Sequence, residues 1–438
     1  MVFIESNESY LKMLPALNQA RFGAYIIFPF QFQEEEFHLE WTDKTFCACD
    51  VDTIDLNETI RAMMSRSGRS SIGCCWKIPE DVLLREMSDK EWAEAPTFYV
   101  DRKNSRRTFS LTDSWLYVFH SHTAFLALGL YFDEIETFAD IVDLGGVASL
   151  AAFSYQDGAE RVDFSLSDWV DALAQKIGIR NFYSRDSNPF ADVFTYALAL
   201  VPEPFPDLDS MKQATFNIHL TIPFSNPITS NSEEDVRFVY AKINEITHTF
   251  RWATCVTSQT ISYIVADPDM DLRSEMESQG LDGLPVVMLA LYEKYTCLSY
   301  TEAIVNTDIQ HLKSIQKMKM EMLEFKAYGT VAPANISRWN NIREIYRGLL
   351  ETNDIPRAID DVNHKIGILA EHQRELEAKK SEMLTNLITV FGIISILASV
   401  LTIIQLLLGG NNVLWISLVL TVIAIFLIFL LTVFRGRK

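Results

Sequence analysis

The sequence predicts an α+β soluble domain that is followed by a long helical stalk and a C-terminal two-helix transmembrane hairpin. Residues 383–434 contain no Asp, Glu, Lys or Arg, whereas residues 1–302 hold 23 basic and 46 acidic residues, a net charge of −23. The whole chain has a net charge of −20 and a mean hydropathy of +0.07. A chain with this many acidic residues reaches such a mean hydropathy only when its apolar residues are concentrated in one segment. This excludes a purely soluble globular protein and a disordered chain.

Residues 1–280 have the pattern of a mixed α/β domain. Short apolar or alternating runs predict strands, and a helical period over residues 166–177 predicts a helix between two of them. The predicted strands are 23–30, 45–51, 97–100, 114–119, 125–132, 216–222 and 261–265. The acidity of this domain excludes a nucleic-acid binder that relies on bulk positive charge, and we expect no nucleic-acid polymer as a partner.

The cysteines allow two interpretations. The chain has six of them: Cys47, Cys49, Cys74, Cys75, Cys255 and Cys297. The first four fall within 29 residues and could bind zinc, but none forms a C-x-x-C pair, so buried and inert thiols are the favoured interpretation. The N-terminal residues lack a basic segment followed by an apolar run, so we expect the thiols to lie in a reducing cytoplasm.

Catalytic motifs are absent from the sequence. There is no Walker loop, no G-x-G-x-x-G, no G-x-S-x-G and no H-E-x-x-H. His120 and His122 could be metal ligands, but alternate residues of a strand point to opposite faces, which favours an ordinary pair at a strand end. We therefore expect no enzyme, no catalytic residue and no assigned metal ligands, and the candidate ligands left open are a divalent cation and a nucleotide second messenger.

One basic patch stands out against the acidic domain. It consists of Arg102, Lys103, Arg106 and Arg107. Guanidinium groups suit phosphate and carboxylate ligands, so the patch is a candidate site for a small anionic ligand such as a nucleotide second messenger. The alternative is a solvated loop whose charges have no ligand.

The uncharged C-terminal run divides into two predicted membrane spans. Residues 384–408 and 413–434 are each long enough to cross a bilayer core of about 30 Å. The sequence Gly409-Gly410-Asn411-Asn412 between them has the character of a turn. Basic residues precede the first span and form the tail 435–438, while the loop is uncharged, so both ends are expected in the cytoplasm of a multi-pass inner-membrane protein.

Polar and small residues recur along the first predicted span. They are Thr385, Thr389, Gly392, Ser395, Ser399, Thr402, Gln405 and Gly409, at gaps of three or four residues. That spacing predicts one polar helix face, which should meet protein or water rather than lipid. Two interpretations remain open: the face lines a pore shared by several subunits, or it is a close-packed helix interface without a conduit.

Residues 281–383 are predicted to form a helical stalk. Helices are expected over 284–328 and 334–350, and a third from Pro356 to Leu408 that continues into the first span. The third helix begins with an a/d pattern, namely Ile355, Ile359, Val362, Ile366, Leu369, Gln373 and Leu376. Since such a pattern needs a partner surface, we expect a homo-oligomer.

This layout resembles the CorA-like two-transmembrane superfamily. The likeness rests on residues 354–408, on the loop Gly409-Gly410-Asn411-Asn412 and on the tail Arg435-Gly436-Arg437-Lys438. The magnesium transporters of that family close the first span with Gly-Met-Asn, and Gly409-Gly410-Asn411 keeps the outer two residues. The usual acidic outer loop is missing. The resemblance implies a homopentameric funnel with Thr389, Gly392, Ser395, Ser399, Thr402 and Asn411 near the pore axis.

The function expected on this basis is a homo-oligomeric membrane channel gated through its cytoplasmic domain. The resemblance implies a divergent branch found beside type III CRISPR and other antiphage systems, in which a nucleotide messenger opens the pore. A divalent-cation transporter for magnesium or zinc is the first alternative. A membrane-anchored sensor or scaffold that does not conduct is the second.

Overall fold

The computed structural model describes most of the chain up to Leu408. The described residues are 8–66, 71–102, 105–142, 151–158, 160–182, 193–226, 239–244, 247–306, 312–408, 415, 418 and 421–422. By their contacts the residues divide into two compact units. The first unit comprises residues 1–305 and 321–362, and the second comprises 306–320 and 363–438.

A mixed β-sheet forms the centre of the first unit. Its described strands are β1 (Arg21–Gln31), β2 (Cys47–Cys49), β3 (Gly73–Ile78), β4 (Phe98–Arg102), β5 (Ser105–Phe119), β6 (Thr123–Phe132), β7 (Ala151–Asp157), β8 (Glu160–Phe164), β9 (Arg180–Asn181), β10 (Phe194–Val201), β11 (Val239–Asn244), β12 (Thr249–Val256) and β13 (Thr260–Ala266). The main order is β11-β12-β13-β10-β1-β6-β5-β4-β7-β8. Strands β10 and β13 pair in parallel, and the other described pairs are antiparallel.

Helices cover both faces of this sheet and continue beyond it. The described helices are α1 (Glu8–Leu17), α2 (Leu39–Thr45), α3 (Glu58–Met64), α4 (Glu80–Ser88), α5 (Ile135–Val142), α6 (Leu166–Ile177), α7 (Leu208–His219), α8 (Leu272–Leu281), α9 (Gly283–Asn306), α10 (Leu312–Glu324), α11 (Pro333–Ile336), α12 (Asn340–Thr352) and α13 (Ile355–Leu408). A π-helical turn, Phe325–Gly329, extends α10.

The first face of the sheet carries the main hydrophobic core. Along β1, the alternate residues Ala24, Ile26, Phe28 and Phe30 are fully buried and belong to this core. Side chains of α1, α4, α6 and α7 complete the same cluster. Strand periodicity explains the arrangement, because every second side chain of a strand points to the same face.

The opposite face of the sheet is covered by α8 and α9 at close range. Tyr25 of β1 donates a hydrogen bond to the carbonyl oxygen of Met276 at 2.9 Å. A Cβ atom added to Gly280 would lie 2.6 Å from the indole nitrogen of Trp115, so only glycine fits there. The ring of Tyr292 stacks on Phe119 at 4.5 Å. The first unit is therefore an α/β domain in which helices sandwich a mixed sheet.

The sequence prediction of strands is confirmed for several elements and wrong for one. The predicted strands 23–30, 114–119, 125–132 and 261–265 lie within β1, β5, β6 and β13, and 97–100 overlaps β4. Of the predicted strand 45–51 only Cys47–Cys49 is a strand, because α2 continues to Thr45. The predicted strand 216–222 is wrong, because residues 208–219 form α7. Asp207 caps this helix by accepting a hydrogen bond from the backbone N–H of Ser210 at 2.7 Å.

The helices after the sheet follow the predicted pattern with one further break. The range predicted as 284–328 covers nearly all of α9, all of α10 and most of the π-helical turn. The range predicted as 334–350 covers most of α11 and of α12. Helix α13 is a single 54-residue helix. It begins after Asp354, whose φ of +50° lies in the left-handed region and separates α12 from α13.

Candidate functional site

The C-terminal part of α13 is apolar, and most of its described side chains are exposed. Ile388 is 70% exposed, Phe391 67% and Ile396 65%. An 18-residue window of the helix has a mean hydropathy of 2.7, and none of that window is buried within the chain. Each such side chain gains about 1.5–3 kcal/mol when it leaves water for an apolar medium. By length and composition α13 can therefore cross a membrane.

The polar residues predicted to line a pore lie on this exposed stretch of α13. The described ones are Thr385, Thr389, Gly392, Ser395, Ser399 and Thr402. Gly409 and Asn411 lie outside the described residues, as do the loop and most of residues 413–434. A Cβ atom added to Gly392 would meet nothing within 4 Å. No contact within the described chain therefore explains the glycine at this position.

Several of these hydroxyl groups bond to the helix that carries them. Thr389 donates to the carbonyl oxygen of Thr385 at 2.8 Å, and Ser399 donates to that of Ser395 at 2.8 Å. Thr402 donates in the same way to Ala398 at 2.7 Å. A hydroxyl group with such a bond has already used its hydrogen, so it can face lipid at a reduced cost. The polar stripe thus permits a pore but does not require one.

The stripe also turns around the helix. From Thr385 to Gly409 its seven gaps span 24 residues, whereas seven turns of a straight α-helix need about 25 residues. The polar positions therefore drift around the helix axis by about 120° between Thr385 and Gly409. A pattern that repeats faster than 3.6 residues stays on one face only in a left-handed bundle of helices.

The a/d pattern at the start of α13 is already buried within one chain. Ile355 is 1% exposed, Ile359 9%, Val362 2% and Ile366 2%. These side chains need no second copy to leave water. The a/d pattern of this part of the helix therefore gives no reason to expect an oligomer.

The predicted basic patch lies on the β4–β5 hairpin, where two of its arginines share one carboxylate. Asp140 of α5 is 3% exposed at its side chain. Its two oxygen atoms accept hydrogen bonds from Arg102 at 2.6 Å and from Arg107 at 2.8 Å. Arg107 also bonds to Glu134 at 2.8 Å. Much of the positive charge of the pair is thus neutralised by these carboxylates.

The other members of the patch differ in their surroundings. The guanidinium of Arg106 lies over the ring of Tyr99 at 3.8 Å, and its Nε is 4.0 Å from Asp101. Arg161 binds the same carboxylate at 2.5 Å. Lys103 lies outside the described residues. The structure brings Arg102 and Arg107 together and places Arg106 in a separate cluster.

A cleft of about 550 Å³ opens beside the two paired arginines. Its lining includes Arg102, Arg107, Asp140 and Glu136, together with Thr221. Charges of both signs line the cleft, so an anionic ligand would compete with Asp140 for the guanidinium groups. Such a ligand needs two or more anionic oxygens to replace that carboxylate.

The cysteines and histidines do not converge on a metal in the part of the chain that the structure describes. No group of three or more His, Cys, Asp or Glu side chains there could hold a metal ion. Strand pairing sets Cys49 opposite Cys75, and all six thiols are free. His122 lies at the β5–β6 turn with a φ of +62°, against the ring of Phe32.

Besides Asp140 of α5, sequence reasoning missed a second buried acid, Glu293 of α9. Its side chain is 2% exposed, and burial raises its pKa to about 7, although hydrogen bonds from Tyr346 and Val331 act in the opposite direction. The signal was present in the sequence, because Glu293 and Lys294 interrupt an otherwise uncharged run over residues 283–301.

The chain matches no protein-family model. A search of the curated proteins likewise returns no match. The functional conclusions therefore rest on the chain's own residues and on the layout of its elements.

Proposed function

We propose that this protein is a homo-oligomeric membrane channel that is gated through its α/β domain. The proposal is supported mainly by the contrast between the two ends of α13. Its first turns are buried in the α/β unit, and its C-terminal part is exposed, apolar and marked by a polar stripe. A helix of this kind can pass a change at its buried end to a pore at its other end.

In the proposed topology, residues 384–408 and 413–434 form a hairpin in the inner membrane with both ends in the cytoplasm. The support is the uncharged run, its turn sequence and the basic residues at its two flanks. A CorA-like funnel of five subunits is the arrangement that the resemblance favours. The polar stripe repeats in fewer than 3.6 residues, and such a repeat is typical of helices that wind around a common axis in a left-handed bundle.

The proposed gating ligand is a small anion with several oxygens, of which a nucleotide messenger of an antiphage system is the leading example. The support is the cleft beside Arg102 and Arg107. A polyphosphate or cyclic phosphate group could accept from both guanidinium groups and displace Asp140. The acidic side chains of the cleft would discriminate against smaller anions.

Planar-bilayer recording of the purified protein tests the channel. We expect conductance that Ser399→Leu and Thr402→Leu reduce at least tenfold, because leucine adds bulk to the proposed lining. Val400→Leu is the matched control, since it adds one methylene to a neighbouring position off the stripe. Equal conductance in all variants, or no conductance under any ion gradient, would contradict the proposal.

A membrane-anchored sensor that does not conduct is the second candidate. The hydrogen bonds from Thr389, Ser399 and Thr402 to their own helix favour it, because they make the stripe compatible with lipid. The two candidates differ in one expected result. In a sensor, Ser399→Leu and Thr402→Leu leave every measurable response unchanged.

A further inference from the structure

Two cysteines lie directly opposite each other where β2 pairs with β3. The antiparallel register sets Cys49 against Cys75 and Cys47 against Lys77. Directly opposed residues of such a pair have Cα atoms about 4.5 or about 5.5 Å apart, and their side chains point to the same face of the sheet. Disulfides form over Cα separations of about 4.4–6.8 Å. The backbone therefore holds Cys49 and Cys75 at the separation and on the face that a disulfide needs.

The other two cysteines of these strands are placed less favourably. Cys74 points to the opposite face of β3, where it packs against the main core together with Trp76. Cys47 shares a face with Cys49 but lies two residues away on the same strand. Two residues of an extended strand span about 6.4–6.8 Å, which is at the outer limit for a disulfide. Of the four cysteines in β2 and β3, the opposed pair thus has the best geometry.

The two opposed thiols differ in their access to solvent. Cys49 is half-buried, whereas Cys75 is 3% exposed and lies in register between Cys49 and Tyr117 of β5. A small reagent in solution can therefore reach Cys49 first. The expectation of buried thiols is wrong for Cys47, which is exposed.

Strand β2 is short enough to adjust to a bond with β3. It has three residues, and β3 is its only partner among the described strands. Opposed Cβ atoms are about 4.5–5.5 Å apart, and a disulfide brings them to about 3.5–4.5 Å. A strand with one neighbour can make this approach without disturbing the rest of the sheet.

The segment that follows β2 reaches the junction of α8 and α9. There the hydroxyl of Thr53 donates a hydrogen bond to a carboxylate oxygen of Asp282, the residue between the two helices. A bond that fixes β2 on β3 therefore also restrains the segment that makes this contact.

We propose that Cys49 and Cys75 are a reversible oxidation site, at which a low-molecular-weight disulfide such as oxidised glutathione forms a bond that locks β2 to β3. The thiolate of Cys49 attacks one sulfur of the small disulfide and expels a thiolate, which takes up the proton that Cys49 has lost. The thiol of Cys75 then attacks the Cys49 sulfur, and its proton passes to the second small thiolate as that group leaves. Two protein thiols are oxidised, and one small disulfide is reduced to two thiols. In a reducing cytoplasm such a bond is transient, as is usual for redox-sensing disulfides.

Oxidation of the purified full-length protein in lipid nanodiscs by oxidised glutathione tests the site. The remaining thiols are blocked with iodoacetamide, and linked peptides are identified by mass spectrometry after digestion. We expect the peptide that links Cys49 to Cys75 to exceed the one that links Cys47 to Cys49 about tenfold or more, because only the first pair lies well within disulfide geometry. Dithiothreitol should remove it. Glutathione adducts without this bridge, or a dominant bridge between Cys47 and Cys49, would overturn the proposal.

Three variants test the order of the two steps. Cys75→Ala should stop at a glutathione adduct on Cys49, and Cys49→Ser should leave Cys75 unmodified, because the reagent does not reach the buried thiol. Cys47→Ser is the matched control and should form the bridge as the unaltered protein does. An adduct on Cys75 in Cys49→Ser would contradict the order. The linked peptide of the unaltered protein decides the site even if Cys75→Ala folds poorly.

Hydrogen exchange of the oxidised and reduced forms tests the lock. We expect protection of the β2 amides to rise about tenfold in the bridged form, because the bond prevents local opening of the strand. Protection of α6, which does not contain either cysteine, should stay constant. Equal exchange of β2 in the two forms would overturn the lock. These measurements do not depend on whether the protein conducts ions.

Discussion

Helix α9 and the C-terminal part of α13 are both long and apolar, yet the first is largely buried and the second is largely exposed. Residues 283–293 of α9 are buried without interruption beneath the sheet and its neighbours. In α13, by contrast, the apolar side chains of residues 383–404 and 406 are exposed or half-buried. The comparison shows that hydrophobicity alone does not separate a core helix from a membrane helix. What separates them is whether other elements of the chain cover the helix.

The largest expected effect comes from a matched pair of truncations. Leu291→Ala in α9 removes a side chain that is 1% exposed, and we expect it to lower the free energy of unfolding of the α/β unit by about 2–5 kcal/mol. Ile396→Ala in α13 should change it by less than about 0.5 kcal/mol, because Ile396 is 65% exposed. Urea unfolding in detergent, followed by tryptophan fluorescence, measures both. Equal losses would remove the distinction between the helices.

The pH dependence of stability sharpens the comparison, since α9 carries a titratable group and residues 383–406 carry none. Folding raises the pKa of Glu293 from 4.5 to about 7. The folded state then binds this proton more tightly than the unfolded state, so its stabilisation is complete below pH 4.5 and is lost as the pH rises through 7. We expect the unfolding free energy to fall by about 2–3 kcal/mol between pH 5 and 8. Glu293→Gln should lack this part of the decline.

A smaller effect is expected where a hydrogen bond joins two elements. Tyr346→Phe removes the donor to a buried carboxyl and should cost about 1–3 kcal/mol at pH 8, where the acceptor is charged. At pH 5 the loss should be smaller, because the acceptor is then neutral. The same unfolding assay at the two pH values measures the difference, and a loss independent of pH would argue against ionisation of Glu293.

The smallest effect is expected where a hydroxyl bonds within its own helix. Ser399→Ala removes only the bond to the carbonyl oxygen of Ser395. We expect a change of less than about 0.5 kcal/mol in unfolding and no change in membrane association. A loss above 1 kcal/mol in nanodiscs would mean that Ser399 bonds to another subunit as well, which would favour a helix bundle over a single anchor.

The sequence predicts α13 well because an uncharged run of that length has few structural alternatives. It fails at α7, where Phe216 and Ile218 alternate with polar residues and imitate a strand. The structure shows why: Asn217 is buried, and it accepts a hydrogen bond from Gln213 at 2.7 Å. A polar residue in the core is recognisable only when its partner is known.

The candidate sites show the same limit. The basic patch is visible in the sequence, but the carboxylate of Asp140 that neutralises it lies 33 residues after Arg107. Glu293 is visible as an acid in an apolar run, but its bond to Tyr346 spans 53 residues. Charge and hydropathy patterns locate such groups, whereas burial and partners, which set their chemistry, depend on the folded chain.

The proposed role of α13 depends most directly on whether its residues 383–406 lie in a bilayer. Spin labels placed one at a time at Ile388, Phe391, Ile396 and Ile403, with the accessible Cys47, Cys49 and Cys74 replaced by serine, report this in reconstituted liposomes. We expect these positions to be more accessible to oxygen than to a water-soluble nickel reagent, because oxygen concentrates in hydrocarbon. Greater accessibility to the nickel reagent at all four positions would place the segment in water and contradict a membrane-spanning α13.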